Sequence, residues 1–214
     1  MKRTEDQTRK LFDDWAADYD TDLAANEPGP LRGYHRSLQA VEGAFTVDEG
    51  FRLLDVGIGS GAVAARFASQ GAKIVGVDPS ERMLSQCREK YPEFELHTGT
   101  FTELPEPDTA FDGVVSGFAF HETPLGKREA ACQAISQVLK PDSRLCLLDI
   151  MFASPAAVAE ARELIGGAWD DSEDYALVSD LDGLIRNSGF STIRWSQTGP
   201  FHWMVTARKL ESSG

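Results

Sequence analysis

The sequence predicts an α/β fold: a three-layer αβα sandwich around a seven-stranded, mostly parallel β-sheet whose last strand is antiparallel. From Arg52 onward, short apolar segments alternate with segments of helical periodicity, which is typical of parallel strands buried on both faces. The last two apolar segments, Phe190–Ser196 and Phe201–Ala207, are separated by too few residues for a crossover helix. We therefore expect the sheet to close with an antiparallel pair of strands.

Length and charge limit the class of protein. A chain of 214 residues suits a single domain with a large core, so we expect one domain over residues 1–214. Acidic residues outnumber basic ones by 34 to 21, and the lysines and arginines are scattered. Such a field repels phosphate backbones and anionic lipid. We expect a small-molecule substrate and neither nucleic acid nor membrane as a partner, while a monomer and a homodimer both stay open.

The cysteines and the N-terminus indicate the compartment. Cys87, Cys132 and Cys146 are odd in number and far apart, without the spacing of a disulfide framework or a zinc site. We expect them to be reduced core residues of a cytoplasmic protein, and we expect no metal. No apolar stretch approaches the ~20 residues of a membrane span, and the polar segment Met1–Lys10 lacks the apolar core of a signal peptide.

Two helices are predicted before the first strand. Apolar and aromatic residues recur at helical spacing in Thr4–Asp20, which indicates one amphipathic helix with an aromatic stripe. Asn26–Pro30 interrupts the chain, and a second helix is predicted from Leu31 to about Gly43. Residues 1–45 are too few to form a core alone. We expect them to pack on the domain as a helical cap, or partial lid.

The remaining elements follow in alternation. The predicted strands before the closing pair are Arg52–Val56, Lys73–Val77, Phe94–His97, Phe111–Ser116 and Leu145–Ile150, with a Pro-rich loop over Leu104–Thr109. The predicted helices are Ser60–Gln70, Glu81–Lys90, Leu125–Leu139 stopped by Pro141, Pro155–Ile165 and Ser172–Asn187. Residues 151–173 are expected to place an inserted helix and loop near the active site.

A glycine-rich turn after the first strand predicts a ligand site. Gly57, Gly59 and Gly61 follow an apolar strand and precede a helix, so bare backbone is available to a ligand. Asp78 ends the next strand, where a carboxylate can accept hydrogen bonds from ribose hydroxyls. A tight turn without a ligand is the alternative for the glycines alone. A dinucleotide fold would favour the spacing Gly-x-Gly-x-x-Gly, which this turn lacks.

The order of motifs resembles that of the class I (Rossmann-like) S-adenosylmethionine (AdoMet) dependent methyltransferases. LLDVGIGSG stands at their first motif, VGVDPS at the second, FDGVVSGFAFHE at the fourth strand and LKPDSRLCLLD at the fifth. The resemblance covers nearly the whole chain. LFDDWAADYD and GFAFHE are similar to small bacterial methyltransferases associated with methionine recycling. The resemblance implies AdoMet as the methyl donor and leaves the acceptor unnamed.

The same resemblance implies roles for residues at the strand ends. Gly57, Gly59 and Gly61 would form the floor under the methionine part of AdoMet. Asp55 would orient that turn and, directly or through water, the ligand's amino group. Asp78 would bind the ribose hydroxyls. The residues implied along the adenine are Pro79, Ser80 and Met83, although a Met in this position is equally typical of core packing.

One departure from the family pattern concerns the adenine. Gly99-Thr100-Phe101 stands where the family has Gly-Asp before an aliphatic residue, so an acceptor for the adenine amino group is missing. A neutral hydrogen bond there contributes about 0.5 to 1.5 kcal/mol. Thr100 can accept weakly and Phe101 can pack on the ring. Reduced AdoMet affinity is therefore expected.

At the end of the fourth predicted strand, Ser116 and Gly117 are expected to contact the ligand through their backbone.

The residues nearest the reacting atoms are harder to assign. Methyl transfer depends mainly on positioning, so a strong base is optional. His121 and Glu122 follow the fourth strand and are the candidate bases, with capping or packing as the alternative for His121. Tyr19 matches a Tyr that, in relatives with a similar opening, reaches the methionine end of AdoMet. Tyr34 and His35 are the candidates for substrate contact.

These observations together predict an AdoMet-dependent methyltransferase acting on a small molecule. A non-catalytic AdoMet-binding or sensor protein is the alternative from another class, suggested by Thr100 and by the absence of a certain base. A Rossmann oxidoreductase is the enzymatic alternative, and the glycine spacing disfavours it.

Overall fold

The computed structural model describes residues 2–25, 29–105 and 110–211. Most of the chain interruption predicted over Asn26–Pro30 and of the Pro-rich loop predicted over Leu104–Thr109 therefore lies outside the described residues. Within them, no helix is long and apolar enough to cross a membrane.

The described strands form one mixed sheet. They are β1 Arg52–Val56, β2 Lys73–Asp78, β3 Glu95–Thr98, β4 Phe111–Gly117, β5 Leu139–Phe152, β6 Ala176–Leu177, β7 Phe190–Gln197 and β8 His202–Lys209. The spatial order is β3-β2-β1-β4-β5-β8-β7, with the short β6 pairing only with the end of β5. β1 to β5 run parallel, whereas β8 is antiparallel to both β5 and β7. The predicted sheet and its antiparallel closing pair are confirmed.

Helices cover both faces of this sheet. The described α-helices are α1 Glu5–Trp15, α2 Tyr19–Ala25, α3 Tyr34–Ala40, α4 Ala64–Ala68, α5 Glu81–Lys90, α6 Arg128–Val138, α7 Pro155–Ile165 and α8 Val178–Asn187. Neighbouring strand residues point to opposite faces, so Leu53 joins the core under α3, α4, α5 and α7, while Leu54 joins the core under α6 and α8. The three-layer sandwich is therefore confirmed. The three cysteines are free and buried, as predicted.

The N-terminal region differs from its prediction. The single helix predicted over Thr4–Asp20 is wrong, because the chain turns after Trp15 and α2 starts at Tyr19. α1 begins with a capping box, in which Thr4 and Gln7 satisfy each other's backbone N–H groups. The turn places the rings of Trp15 and Tyr19 4.8 Å apart, edge to face. The aromatic stripe thus packs against itself across two short helices.

Three other predicted boundaries move for local reasons. The helix after β1 begins at Ala64 and not at Ser60, because the glycine turn continues through Gly61. Pro141 does not end a helix but lies inside β5, next to an irregularity in its pairing with β4 that tolerates the missing N–H. The helix predicted from Ser172 begins only at Val178, after the short β6.

Candidate functional site

The glycine turn after β1 folds back on the end of β2. The N–H groups of Gly57 and Ile58 both donate to the carbonyl of Val77, at 2.7 and 3.0 Å. Gly57 has φ +74°, and a Cβ built there would overlap the Cβ of Ala119 in the loop after β4. Gly59 has φ +53°, and a Cβ there would enter open space. The turn therefore presents bare backbone toward a pocket at the carboxyl ends of β1, β2 and β4.

This pocket collects most of the predicted ligand residues. Those lining it are Tyr19, Tyr34, Gly57, Gly59, Asp78, Pro79, Met83, Thr100, Phe101, Gly117 and Glu122. Outside the lining are Asp55, Gly61, Ser80, Ser116 and His121, which are behind or beside the wall, and His35, which is exposed. Gly61 packs against Tyr91 and Cys87, so its lack of a side chain serves helix packing. α1 contributes Glu5, Thr8 and Phe12 to the wall.

Asp78 is held rigidly at the end of β2. One carboxylate oxygen accepts from the N–H of Gly59 and the other from the N–H of Ser80, both at 2.9 Å. Burial raises the pKa of Asp78 to about 6, while these two amide donors oppose the increase and the Asp13 carboxylate adds to it. Each oxygen keeps a further lone pair, so the carboxylate can still accept hydrogen bonds from a pair of hydroxyl groups.

Asp55 lies beneath the glycine turn and is only 1 % exposed. Neither of its carboxylate oxygens has a hydrogen-bond partner in the described part of the chain. Burial raises the pKa of Asp55 to about 8, and the nearby Asp78 carboxylate adds to this increase. The backbone N–H of Ala64 opposes the increase, although it is not placed well enough to form a hydrogen bond. A buried carboxyl of this kind is costly unless a bound group compensates it. The pocket therefore suits a ligand with a cationic end near β1.

The adenine side of the predicted site is apolar. Met83 is buried on α5 and lines the pocket. Phe101 lines it from the loop after β3 and packs edge to face on Phe120, with ring centroids 5.1 Å apart. Ser80 is the N-cap of α5: its hydroxyl accepts from the Met83 N–H and donates to Asp13 of α1. It therefore fastens α1 to α5.

Two tyrosines close the opposite end of the pocket. Tyr19 and Tyr34 both line it, and burial raises the pKa of each phenol above its usual range. Both are therefore neutral hydrogen-bond donors at ordinary pH. Tyr34 packs on Phe118, with centroids 4.9 Å apart. Its helix α3 is anchored below by buried His202, which contacts the Ser37 hydroxyl at 2.8 Å and the Pro30 carbonyl at 2.9 Å.

His121 is buried outside the pocket and is tied to β5. Its Nδ1–H donates to Asp149 at 2.6 Å, and its backbone N–H donates to the other oxygen of the same carboxylate at 2.8 Å. Burial opposes protonation of the ring, but the charges of Asp149, Glu173 and Glu122 raise the pKa of His121 to about 10. In this arrangement the imidazole holds the loop after β4 and is not free to accept a proton.

Glu122 lines the pocket and belongs to an ionic cluster around Arg3. The Arg3 guanidinium donates to Glu122 at 2.7 Å, to Glu173 at 2.9 Å and to Asp170 at 2.5 Å. Thr8 of α1 donates to the second oxygen of Glu122 at 3.1 Å. The loop after α7, which carries Asp170 and Glu173, is thus tied to the N-terminal segment of the chain.

The sequence interpretation assigned no role to Arg3 or Asp149. The only signal for Asp149 was a lone carboxylate at the end of an apolar strand, in the segment LCLLD. An arginine in a polar N-terminal segment carries no signal of this kind. Both become functional candidates only because folding places them at the same edge of the sheet.

The chain has a Rossmann-like α/β fold with a pocket at the switch-point edge of its sheet. Residues 53–142 match the model of a methyltransferase domain. An uncharacterized methyltransferase of Alkaliphilus oremlandii is 27% identical to the chain over 214 aligned residues, which cover 94% of this chain and 96% of the relative.

Solved structures share the fold at low identity. A Thermotoga maritima protein described as an SAM-dependent methyltransferase and possible histamine N-methyltransferase has a TM-score of 0.70 at 19% identity, covering 94% of this chain and 99% of that one. The cyclase SpnF has a TM-score of 0.78 at 18% identity, covering 99% and 98%. The chain therefore shares the fold of these proteins, and residues 53–142 match a methyltransferase-domain model.

Proposed function

We propose that this protein is an AdoMet-dependent methyltransferase acting on a small-molecule acceptor. The main support for the proposal is the buried carboxyl of Asp55, which has no hydrogen-bond partner in the described part of the chain. It lies under the glycine turn, and Asp78, next to that turn, lines the pocket. One carboxylate suits the ammonium of the methionine part and the other the two ribose hydroxyls. The methyltransferase-domain match over the same strands supports this interpretation.

The pocket residues fit the rest of the cofactor. Met83 and Phe101 supply an apolar slot for the adenine, and Thr100 supplies the weak acceptor in place of the family carboxylate. Tyr19 and the bare backbone of Gly57 and Gly59 border the methionine end. When bound, AdoMet supplies a methyl group activated by its sulfonium.

The chain's own contribution to methyl transfer is positioning. Tyr19, Tyr34 and Phe118 form an aromatic wall that excludes water and favours a cationic group. His121 acts as a positioning residue, because its ring is tied to Asp149 behind the pocket wall. Glu122 lines the pocket with both oxygens engaged, by Arg3 and by Thr8. We propose that catalysis depends on orientation and needs no strong base from these two residues.

Cofactor binding is the first test. We expect AdoMet and its product S-adenosylhomocysteine each to bind with one-to-one stoichiometry in calorimetry. Asp78→Asn retains the shape but loses one acceptor oxygen, so binding should weaken by about tenfold or more, equivalent to about 1.4 kcal/mol or more. Glu89→Gln changes an exposed carboxylate elsewhere in the chain and should bind like the wild type. Failure of the wild type to bind either ligand would overturn the proposal.

A non-catalytic AdoMet-binding protein is the second candidate. Thr100 in place of a carboxylate and the engaged His121 favour it, and the cyclase SpnF shares this fold. Incubation with methyl-labelled AdoMet and a metabolite extract separates the two functions. A labelled small-molecule product that is lost with Asp78→Asn supports the enzyme. Binding without transfer to any acceptor would support the second candidate.

A further inference from the structure

Three metal-ligating side chains meet beside the pocket. His121 and Glu122 come from the loop after β4, and Glu173 comes from the loop between α7 and β6. The Nε2 atom of His121 lies 3.7 Å from an oxygen of Glu122 and 3.7 Å from an oxygen of Glu173. One ligand atom from each residue fits within 4.8 Å of the other two. We name this set the His-Glu-Glu cluster.

The imidazole of the cluster is oriented for a metal ion, which would displace the proton that the raised pKa keeps on Nε2. Its side chain is 7% exposed, and its Nδ1–H is held at 2.6 Å by Asp149, a carboxylate that is itself almost fully buried. Nε2 therefore points between the two glutamates, and within the described part of the chain it makes no hydrogen bond, since both carboxylates lie at 3.7 Å. A carboxylate bonded to the far nitrogen of a histidine is the usual support of a metal-binding imidazole.

The spacing is close to that of a bound ion. Ligand atoms about 2.1 Å from a tetrahedral ion lie about 3.4 Å apart. The two observed separations of 3.7 Å exceed this by a few tenths of an ångström, which small side-chain rotations can remove. Imidazole with carboxylates suits first-row transition ions such as Zn²⁺ or Mn²⁺, whereas Mg²⁺ and Ca²⁺ favour sites made of oxygen alone.

Arg3 is the cation that the cluster holds in this structure. Its Nη2 donates to Glu122 at 2.7 Å and to Glu173 at 2.9 Å, so it bridges the two carboxylates that an ion would bridge. Its side chain belongs to the N-terminal arm, residues 2–4, which precedes α1. A divalent ion and the Arg3 guanidinium therefore compete for the same two carboxylates.

We propose that the His-Glu-Glu cluster is a binding site for a first-row divalent transition-metal ion, which replaces Arg3 and releases the N-terminal arm. Because ion binding and Arg3 docking exclude each other, a change that weakens docking but leaves the three ligand residues intact should strengthen ion binding. The site adjoins the pocket through Glu122, and its existence does not depend on AdoMet or on methyl transfer.

Zn²⁺ titration of three variants tests the competition. Arg3→Gln should bind one equivalent of Zn²⁺ about tenfold more tightly than the wild type, because the resident cation is gone. Adding Glu173→Gln to Arg3→Gln should reverse this gain by about tenfold or more. Glu163→Gln, on the exposed face of α7, is the matched carboxylate control in the same background and should change nothing. Equal affinities of Arg3→Gln with and without Glu173→Gln would overturn the proposal.

A measurement on the wild-type protein covers the case in which Arg3→Gln does not fold. Added Mn²⁺ should broaden the ring resonances of His121 strongly in the NMR spectrum, and those of His97, on the edge strand β3 several strands away, much less. Mg²⁺ added together with Mn²⁺ at the same concentration should not compete for the site, so the broadening of His121 should stay unchanged. Broadening confined to the exposed His35 and His97 would show surface binding only and would overturn the proposal.

Discussion

Asp55 is a single residue that lowers the stability of the folded protein and favours binding of a cationic ligand. A carboxyl group buried without a hydrogen-bond partner destabilises the folded protein whenever it is ionised. Its neighbour Asp78 is buried as well, but two backbone N–H groups compensate its charge. The structure thus places an uncompensated acid beneath the glycine turn, behind the wall of the pocket that the proposed cofactor would occupy.

The first residue-scale prediction concerns pH. The folded protein keeps the proton of Asp55 up to about pH 8, whereas the unfolded chain releases it near pH 4. The folded state therefore binds more protons between these values, and its stability falls as pH rises through this window. Asp55→Asn lacks this group, so in thermal melts without ligand it should gain several degrees over the wild type at about pH 8.

The gain should shrink at about pH 5 and disappear near pH 4, where the carboxyl of the unfolded chain becomes protonated as well. The same variant should bind AdoMet more weakly in calorimetry, because the neutral amide cannot pair with an ammonium. A lower melting temperature for Asp55→Asn at about pH 8 would contradict the burial argument.

At the level of elements, α1 is attached mainly through its polar residues and its aromatic face. Thr8 is the one fully buried residue within Glu5–Trp15, while Phe12 lines the pocket. Side-chain hydrogen bonds between α1 and the body of the domain run from Ser80 to Asp13, from Lys127 to Glu5 and from Thr8 to Glu122. A helix attached in this way has little apolar burial of its own, so its docking is weak compared with that of the sheet.

Ser80→Ala tests this attachment. The change removes the N-cap of α5 and the hydrogen bond to Asp13, so the free energy of unfolding should fall by about 1 to 2 kcal/mol. Asp13→Ala removes only the second contact and should cost less. Ser85→Ala, at an exposed position inside α5, is the control and should leave urea denaturation nearly unchanged. Equal losses for Ser80→Ala and Ser85→Ala would rule out the capping role.

At the level of the whole molecule, the N-terminal helices form one wall of the pocket and the strand ends form the others. Phe12 and Tyr19 face the same space as Asp78 and Met83. A ligand in that space would contact both walls at once and so join the weakly docked helices to the sheet. Ligand binding should therefore stabilise α1 and α2 more than the rest of the domain.

Hydrogen exchange measures this difference. On addition of S-adenosylhomocysteine, amides of α1 and α2 should exchange at least several times more slowly, because local opening must first break the new contacts. Amides of α8 serve as the internal control, because α8 packs on the opposite face of the sheet from α3, α4, α5 and α7. They should show little change. Uniform protection of all helices would indicate global stabilisation only.

Much of the fold was predictable from local patterns. Continuous apolar strands such as Arg52–Val56 occur at their predicted positions, because burial on both faces imposes the same composition wherever such a strand lies. The glycine turn and Asp78 were predictable for a similar reason, since close backbone approach requires glycine at fixed spacing. Helical spacing across Thr4–Asp20 was misleading, because periodicity does not reveal a turn between two short helices.

The sequence by itself determined the order of the seven main strands and of the helices from α4 onward, the turn that can admit a nucleotide and most of the pocket floor. These features depend on residues that are neighbours in the chain, so their pattern is visible without the fold. Only the tertiary structure decided that Arg3, Asp149 and Glu173 surround His121, and that His35 faces outward. These contacts join segments that are far apart in sequence. They form because parallel strands bring their carboxyl ends to one edge of the sheet, and the N-terminal arm crosses that edge.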